Sequence, residues 1–299
     1  MNFREYQEQA LKTDQIPDEN KVIVPLLGLV GEAGTLLTEY KKFLRDGDAH
    51  KLFKDGIAEE LGDLLWYIAN VASKFELDLE EIAEGNLKKC LDRWGWRNSV
   101  QTGVKAIGYM FDRDFPEHER LPRQFVVEIA EVSQDSSVKM KAFIDGKKIG
   151  DDLTDNSYLS DGYRFHDVFH LSYAAVLGWS PVVRQLLGSR KRKSNPKVDE
   201  VEDGGRAKAI EEGISALIFS YAKDHSFLEG VSTLDYQLLR TIKNMTSYLE
   251  VAQCSLGDWE KAILIGYEVW RQVDKNRGGT VVVDLDARSL TYQVSCCPT

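Results

Sequence analysis

The chain has 299 residues, 43% of them hydrophobic and 29% charged, with a formal net charge of -10. The length favours two domains over one minimal core, and the composition is that of an ordinary globular protein. An acidic chain repels phosphate backbones, which speaks against duplex nucleic acid as a partner but leaves open a small nucleotide bridged by a metal.

The opening segment MNFREYQEQA is polar and lacks the character of a secretory signal. No stretch is long and apolar enough to suggest a membrane span, so no membrane partner is expected. Cys90, Cys254, Cys296 and Cys297 form no C-x-x-C pair. A reduced, cytoplasmic chain with incidental thiols follows from that usage.

Residues up to about 95 read as helices. Pro17 and Pro25 bracket an expected loop. GLVGEAGTLLTEYKKFLRDG then has helical apolar spacing, a basic last turn and a plausible stop at Gly47. GIAEELGDLLWYIANVASKFELD follows, with Leu61, Leu64, Leu65, Ile68, Val71 and Ala72 on one broad face. This second helix is apolar enough to expect burial in a bundle. LEEIAEGNLKKCLDRW forms a third helix.

Glu60 and Asp63 project from one face of the second helix, with Glu59 one step round. Buried carboxylates are costly unless paired or metal-bound. Glu32, on the preceding helix, can meet them if the two helices form an antiparallel hairpin. Such an all-oxygen set suits Mg²⁺ or Mn²⁺, and a salt-bridged surface is the alternative. On the third helix Lys88, Lys89 and Arg93 follow Asn86. They suit either a phosphate-holding edge or a helix C-terminus stabilised by basic residues.

Residues 98–122 read as a linker containing Gly103, Gly108, Pro116 and Pro122. RQFVVEIAEV and VKMKAFIDGKKIG then alternate with period two, with an Asp145-Gly146 turn inside the second run. Helical patterns return at GYRFHDVFHLSYAAVLGW, GRAKAIEEGISALIFSYAKD, LDYQLLRTIKNMTSYLEV and DWEKAILIGYEVWRQVDK, and GGTVVVDLDARSLTYQ closes the chain as strands. The expectation is an α+β protein: an all-α domain over 1–97, then an α+β domain with a small antiparallel sheet over 123–299. SRKRKSNPK followed by VDEVED reads as a solvated loop, with phosphate contact as its sharper alternative.

REYQEQALKT, GLVGEAGTLLTEYKK, EELGDLLWYIANVA and NLKKCLDRW, in this order, resemble the all-α nucleoside triphosphate pyrophosphohydrolases of the MazG-like group over about residues 3–97. The resemblance implies magnesium-dependent cleavage of a nucleotide to a nucleoside monophosphate and pyrophosphate. It implies Glu32, Glu60 and Asp63 as metal ligands, with Glu59 or its neighbour Glu60 acting on the attacking water. It also implies Asn86, Lys89 and Arg93 as substrate-facing residues, and a bundle completed by a second copy. The family pattern is E-x-x-E then E-x-x-D, but Thr35 stands where the second acid of the first pair is expected. Glu39, two turns beyond Glu32, cannot fill that position but is placed to serve a second ion.

The second half carries one further constellation. His166 and His170 share a helical face, with Asp167 between them and Glu211 and Glu212 on a later helix. A mixed histidine–carboxylate metal site is one reading, and core or capping histidines the other. The HD dipeptide is similar to that of metal-dependent phosphohydrolases, whose further spaced ligands are not evident. Asp167 with the EGIS segment at 212–215 also echoes Asp63 with EAGT at 32–35, in the manner of a permuted, degenerate copy. Three functions follow: a nucleotide-clearing hydrolase, a non-catalytic nucleotide sensor, and a bifunctional phosphohydrolase with a second metal site.

Overall fold

A computed structural model describes residues 1–17, 20–102, 109–134, 137–188 and 190–294, with side chains left aside at 95–102, 134 and 137. The chain divides into two units, Met1–Leu91 and Asp92–Thr299.

The first unit is helical. Helix α1 spans Phe3–Lys12 and opens on a capping box, in which the Asn2 side chain accepts from the Glu5 amide and Glu5 accepts from the Asn2 amide. Helix α2 spans Ile23–Asp46 and ends at Gly47, whose φ of 57° a side chain would resist. Pro25 lies inside the first turn of α2 rather than in a preceding loop. A first-turn amide has no intrahelical acceptor, so proline loses nothing there. Helix α3 spans Phe53–Lys74. Helix α4, Leu79–Thr102, begins where the Asp78 carboxylate accepts from the amides of Glu80 and Glu81 at 2.8 and 3.2 Å.

The core of this unit is thin. Ala10, Ala69 and Leu79 are buried, with Tyr6 and Trp66 packed against them. The Trp66 indole donates to the Thr13 hydroxyl at 2.7 Å. Helix α3 is not the buried bundle helix its apolar face suggests: only Ala69, Asn70 and Ala72 are buried, and Leu61 and Ile68 are exposed. Two neighbouring helices, α1 and α2, cannot cover an apolar surface on every side.

The second unit is α+β. Strands β1 (Gln124–Gln134), β2 (Ser137–Ile144), β3 (Lys147–Leu153), β4 (Gly278–Asp284) and β5 (Ser289–Gln293) form one antiparallel sheet in the order β3-β2-β1-β4-β5. Asp145 and Gly146, with φ of 48° and 72°, make the two-residue turn that the right-handed strand twist favours. Gly279 pairs with Ile129 at φ 140°, and a Cβ there would lie 2.2 Å from the Tyr292 ring.

The helices of this unit are α5 (Asp167–Leu177), α6 (Pro181–Leu186), α7 (Pro196–Val201), α8 (Gly205–Lys223), α9 (Tyr236–Met245) and α10 (Leu256–Asn276). Helix α5 packs chiefly along α10, where Gly266 admits Ser172 and the Ser172 hydroxyl donates to the Ala262 carbonyl. Phe169, Tyr173, Trp179, Trp259, Tyr267 and Trp270 fill the centre of a large core.

Residues 109–122, expected to link two domains, pack into this unit. Leu121 and Asp112 are buried, and Asp112 accepts from the Leu121 amide and from the guanidiniums of Arg123 and Arg184. The basic run is a solvated loop only in part. Arg192 is buried, donating to Asp203 and to Glu250, and Arg190 donates to the Arg120 carbonyl at 2.7 Å. The acidic run supplies Asp203 as the buried partner of Arg192, while Lys193 and Lys197 stay exposed.

Candidate functional site

The first unit brings Glu32, Glu60 and Asp63 together, with one carboxylate oxygen from each within 4.8 Å of the others. The register of α2 against α3 explains this. Gly28 faces Tyr67, Glu32 faces Asp63, and Glu39 faces Gly56, so equal steps up one helix match equal steps down the other. A Cβ at position 28 would lie 2.3 Å from the Tyr67 ring, so glycine there sets the helices' close approach. One helical turn beyond, on each helix, stand Glu32 and Asp63.

Three carboxylates at this spacing repel one another. Glu60 bears the consequence: burial, then the charges of Glu32 and Asp63, raise its pKa above the ordinary carboxylate value. Its Oε2 is buried and has no hydrogen-bond partner among the described residues. An orphaned buried oxygen beside two more carboxylates is a donor set that a hard divalent cation satisfies. Glu59 is exposed on the same helix.

One expectation around this cluster is corrected. Glu39 is not placed for a second ion. It is bound to the Lys42 ammonium and to His50 Nε2 at 3.0 Å, and these partners, Lys42 first, hold its carboxyl below the ordinary range. Thr35 offers no charge, and its hydroxyl donates to the Gly31 carbonyl at 3.3 Å. Of the residues expected on α4, Asn86 and Lys89 are exposed. Arg93 is committed elsewhere: it donates to the Leu234 carbonyl at 2.8 Å and stacks on Trp94 and Tyr236.

The second unit gathers another cluster. His166, His170 and Glu212 present ligand atoms within 4.8 Å of one another. His170 sits on α5, fully buried, and its Nδ1 meets Glu211 Oε1 at 2.9 Å. Glu211 is spent on its neighbours. It also accepts from the Ser180 hydroxyl at 2.6 Å and the Val182 amide at 2.9 Å. Glu211 therefore orients His170 rather than acting as a ligand, and Ser180, which sequence reading passed over, completes its support. The Ser-Pro step that opens α6 was the available signal.

His166 Nδ1 meets the Tyr163 carbonyl at 2.9 Å. Both Nε2 atoms face Glu212 Oε2, at 3.7 Å from His166 and 3.3 Å from His170. Burial would discharge His170, but Glu211 and Glu212 outweigh it and push its pKa up to about 10. Asp167 lies beside them, and burial raises its carboxyl against the opposing pull of His166 and His170.

Comparison with known proteins divides the chain similarly. The model of the MazG nucleotide pyrophosphohydrolase domain matches residues 26–97, and that of the MazG C-terminal domain matches 106–296. The latter covers the half for which the sequence alone suggested no family. The gene 37 protein of Mycobacterium phage L5 is 39% identical over 69 residues, 22% of this chain and 60% of that protein. The match thus spans less than two thirds of that relative's length. No solved structure matches.

Proposed function

The chain belongs to the MazG family, and from that premise we propose that it is a magnesium-dependent nucleoside triphosphate pyrophosphohydrolase releasing a nucleoside monophosphate and pyrophosphate. The family supports nucleotide pyrophosphohydrolase activity of a divalent-metal-dependent kind. The observation that carries the reading is the convergence of Glu32, Glu60 and Asp63 around the unpartnered Glu60 Oε2.

Glu32, Glu60 and Asp63 hold the ion, with Mn²⁺ as an alternative occupant. When bound, it neutralises phosphate charge and makes water a better nucleophile. Glu59, exposed one residue from Glu60, orients that water and takes its proton. Exposed Asn86 and Lys89 lie on α4 for the polyphosphate chain. Arg93 is less available, being bonded to Leu234.

The test is a nucleotide panel with Mg²⁺ or Mn²⁺, resolving monophosphate plus pyrophosphate from diphosphate plus phosphate. Pyrophosphate release that Asp63→Ala abolishes is expected. No release from any nucleotide would sink the enzyme reading. Thr35 favours a second reading, a nucleotide sensor, because it leaves the cluster with three acids. A sensor would show a ligand-dependent rise in thermal stability without product.

The first unit acts as a homo-oligomer. Val30, Leu37 and Leu44 recur every seven residues on α2 and are 72%, 68% and 68% exposed. Leu61, Ile68 and Phe75 repeat that spacing on or just past α3 and are also exposed. Such stripes are completed by facing helices, here from a second copy. Light scattering should give at least a dimer, and Leu37→Lys should shift it toward monomer. The working compartment is the cytoplasm. Cys90 and Cys254 are free thiols, and Cys296 and Cys297 lie outside the described residues. No helix among the described residues is long and apolar enough to cross a membrane.

A further inference from the structure

We propose that His166, His170 and Glu212 form a second metal site in this chain, one that takes a zinc-class transition-metal ion through two imidazole nitrogens and a carboxylate. Three independent observations converge on it.

The first is orientation. Both Nδ1 atoms are engaged by acceptors, His170 by the Glu211 carboxylate and His166 by the Tyr163 carbonyl. Once its Nε2 proton is displaced, an imidazole that donates through Nδ1 presents a lone pair at Nε2. Both Nε2 atoms therefore turn toward the same carboxylate oxygen of Glu212. Metal-bound histidines are held this way, with the far nitrogen donating to a carboxylate or a carbonyl.

The second is an unmet need. His170 is fully buried, and its Nε2 has no hydrogen-bond partner among the described residues. It approaches Glu212 Oε2 at 3.3 Å without hydrogen-bond alignment. A nitrogen lone pair facing a carboxylate oxygen is unfavourable unless a cation, a proton or a metal ion, lies between them.

The third is local sequence. His166, Asp167, Val168, Phe169 and His170 place two histidines four apart with an acid directly after the first. His166 already has αR backbone (φ -64°, ψ -18°) at the head of α5, so both rings share one face. Paired helical histidines with an adjacent acid are a zinc-binding arrangement, and a third carboxylate from a distant helix completes the set. Glu212, on α8, is that carboxylate, and Asp167 is the adjacent acid.

Donor chemistry separates this site from the first. Nitrogen donors favour zinc and its neighbours, whereas the oxygen-only cluster of Glu32, Glu60 and Asp63 favours magnesium. Three protein ligands leave at least one coordination position for water or a small ligand. Glu212 is 45% exposed, so this position has access to solvent.

The experiment uses the full chain with Glu60→Gln and Asp63→Asn, which silences the oxygen cluster. After chelator treatment and dialysis, Zn²⁺ is titrated by calorimetry, and Co²⁺ is added to read visible absorption. One Zn²⁺ per chain and a Co²⁺ spectrum of nitrogen ligation are expected. His166→Ala and Glu212→Gln, added singly, should each weaken Zn²⁺ binding at least tenfold. Glu212 is partly exposed, so its amide variant is expected to fold, and circular dichroism checks this. Absence of Zn²⁺ binding would overturn the proposal and leave His170 as a buried imidazolium between two glutamates. Equal Zn²⁺ binding by folded Glu212→Gln and His166→Ala would overturn it as well. Neither result bears on pyrophosphohydrolase activity, which is assayed on the unmodified chain.

Discussion

The two units solve the problem of grouped carboxylates in opposite ways. In the first, Glu32, Glu60 and Asp63 stand on a helix pair over a core of a few small residues, and their repulsion is left on Glu60. In the second, several buried acids meet an arginine: Asp112 with Arg184, Asp203 with Arg192, and Asp258 with Arg288. The contrast separates acids that hold a fold from acids proposed to hold a ligand. These three structural carboxylates come with arginines, whereas Glu32, Glu60 and Asp63 come with one another.

That contrast can be broken most forcefully at Arg192. Replacing it with Ala leaves Asp203 and Glu250 without their shared guanidinium. A loss of about 3–5 kcal/mol in urea unfolding is expected. A loss near zero would mean that the buried pairs do not hold the second unit.

Gly28→Ala attacks the first unit at its helix contact. The added Cβ would meet Tyr67, with an overpacking cost of about 1–3 kcal/mol. Because the same contact aligns Glu32 with Asp63, the thermal stabilisation given by Mg²⁺ should fall too. An unchanged Mg²⁺ response would show that the cluster does not depend on this register.

Thr35→Glu supplies the acid that the family pattern expects. It should tighten divalent-cation binding by about tenfold, since affinity follows the charge and number of oxygen ligands. Isothermal titration decides this, and a weaker or equal affinity would place position 35 outside the ligand shell.

The smallest effect is expected at Glu202. Burial first, then the nearby charges of Glu250 and Asp203, raise its pKa from the ordinary 4.5 to about 7, against the pull of the Glu250 amide and Arg192. The folded state therefore holds a proton that the unfolded state releases. Its contribution is intact below pH 4.5 and is lost as pH rises through about 7. Glu202→Gln should flatten that fall and stabilise the protein by about 1 kcal/mol above neutrality. Unfolding curves across this pH range that parallel those of the parent would remove Glu202 from the balance.

Much of this was legible in the residues. Helical spacing located α2, α3, α5, α8 and α10, and period-two alternation with Asp145-Gly146 located β1, β2 and β3, because side-chain direction follows backbone period. Spacing put Glu60 and Asp63 on one face and named Glu32 as their partner. It could not say that Glu39 was already bound to Lys42 and His50, that Arg93 was held by Leu234, or that Arg192 was buried. Long charged side chains take their partners from distant segments, and local sequence carries no record of that choice.

The same boundary runs through the two clusters. The sequence by itself determined which donors are available: oxygens alone in the first unit, nitrogens with oxygen in the second. Only the tertiary structure decided which donors converge. The close approach at Gly28 brought Glu32 to Glu60 and Asp63. The Ser180–Glu211–His170 chain turned one imidazole nitrogen onto Glu212 and removed Glu211 from the set of free ligands, and the Tyr163 carbonyl turned the His166 nitrogen onto the same carboxylate. Ligand sets are made of side chains whose orientation is fixed by what lies behind them, and that support comes from other parts of the fold.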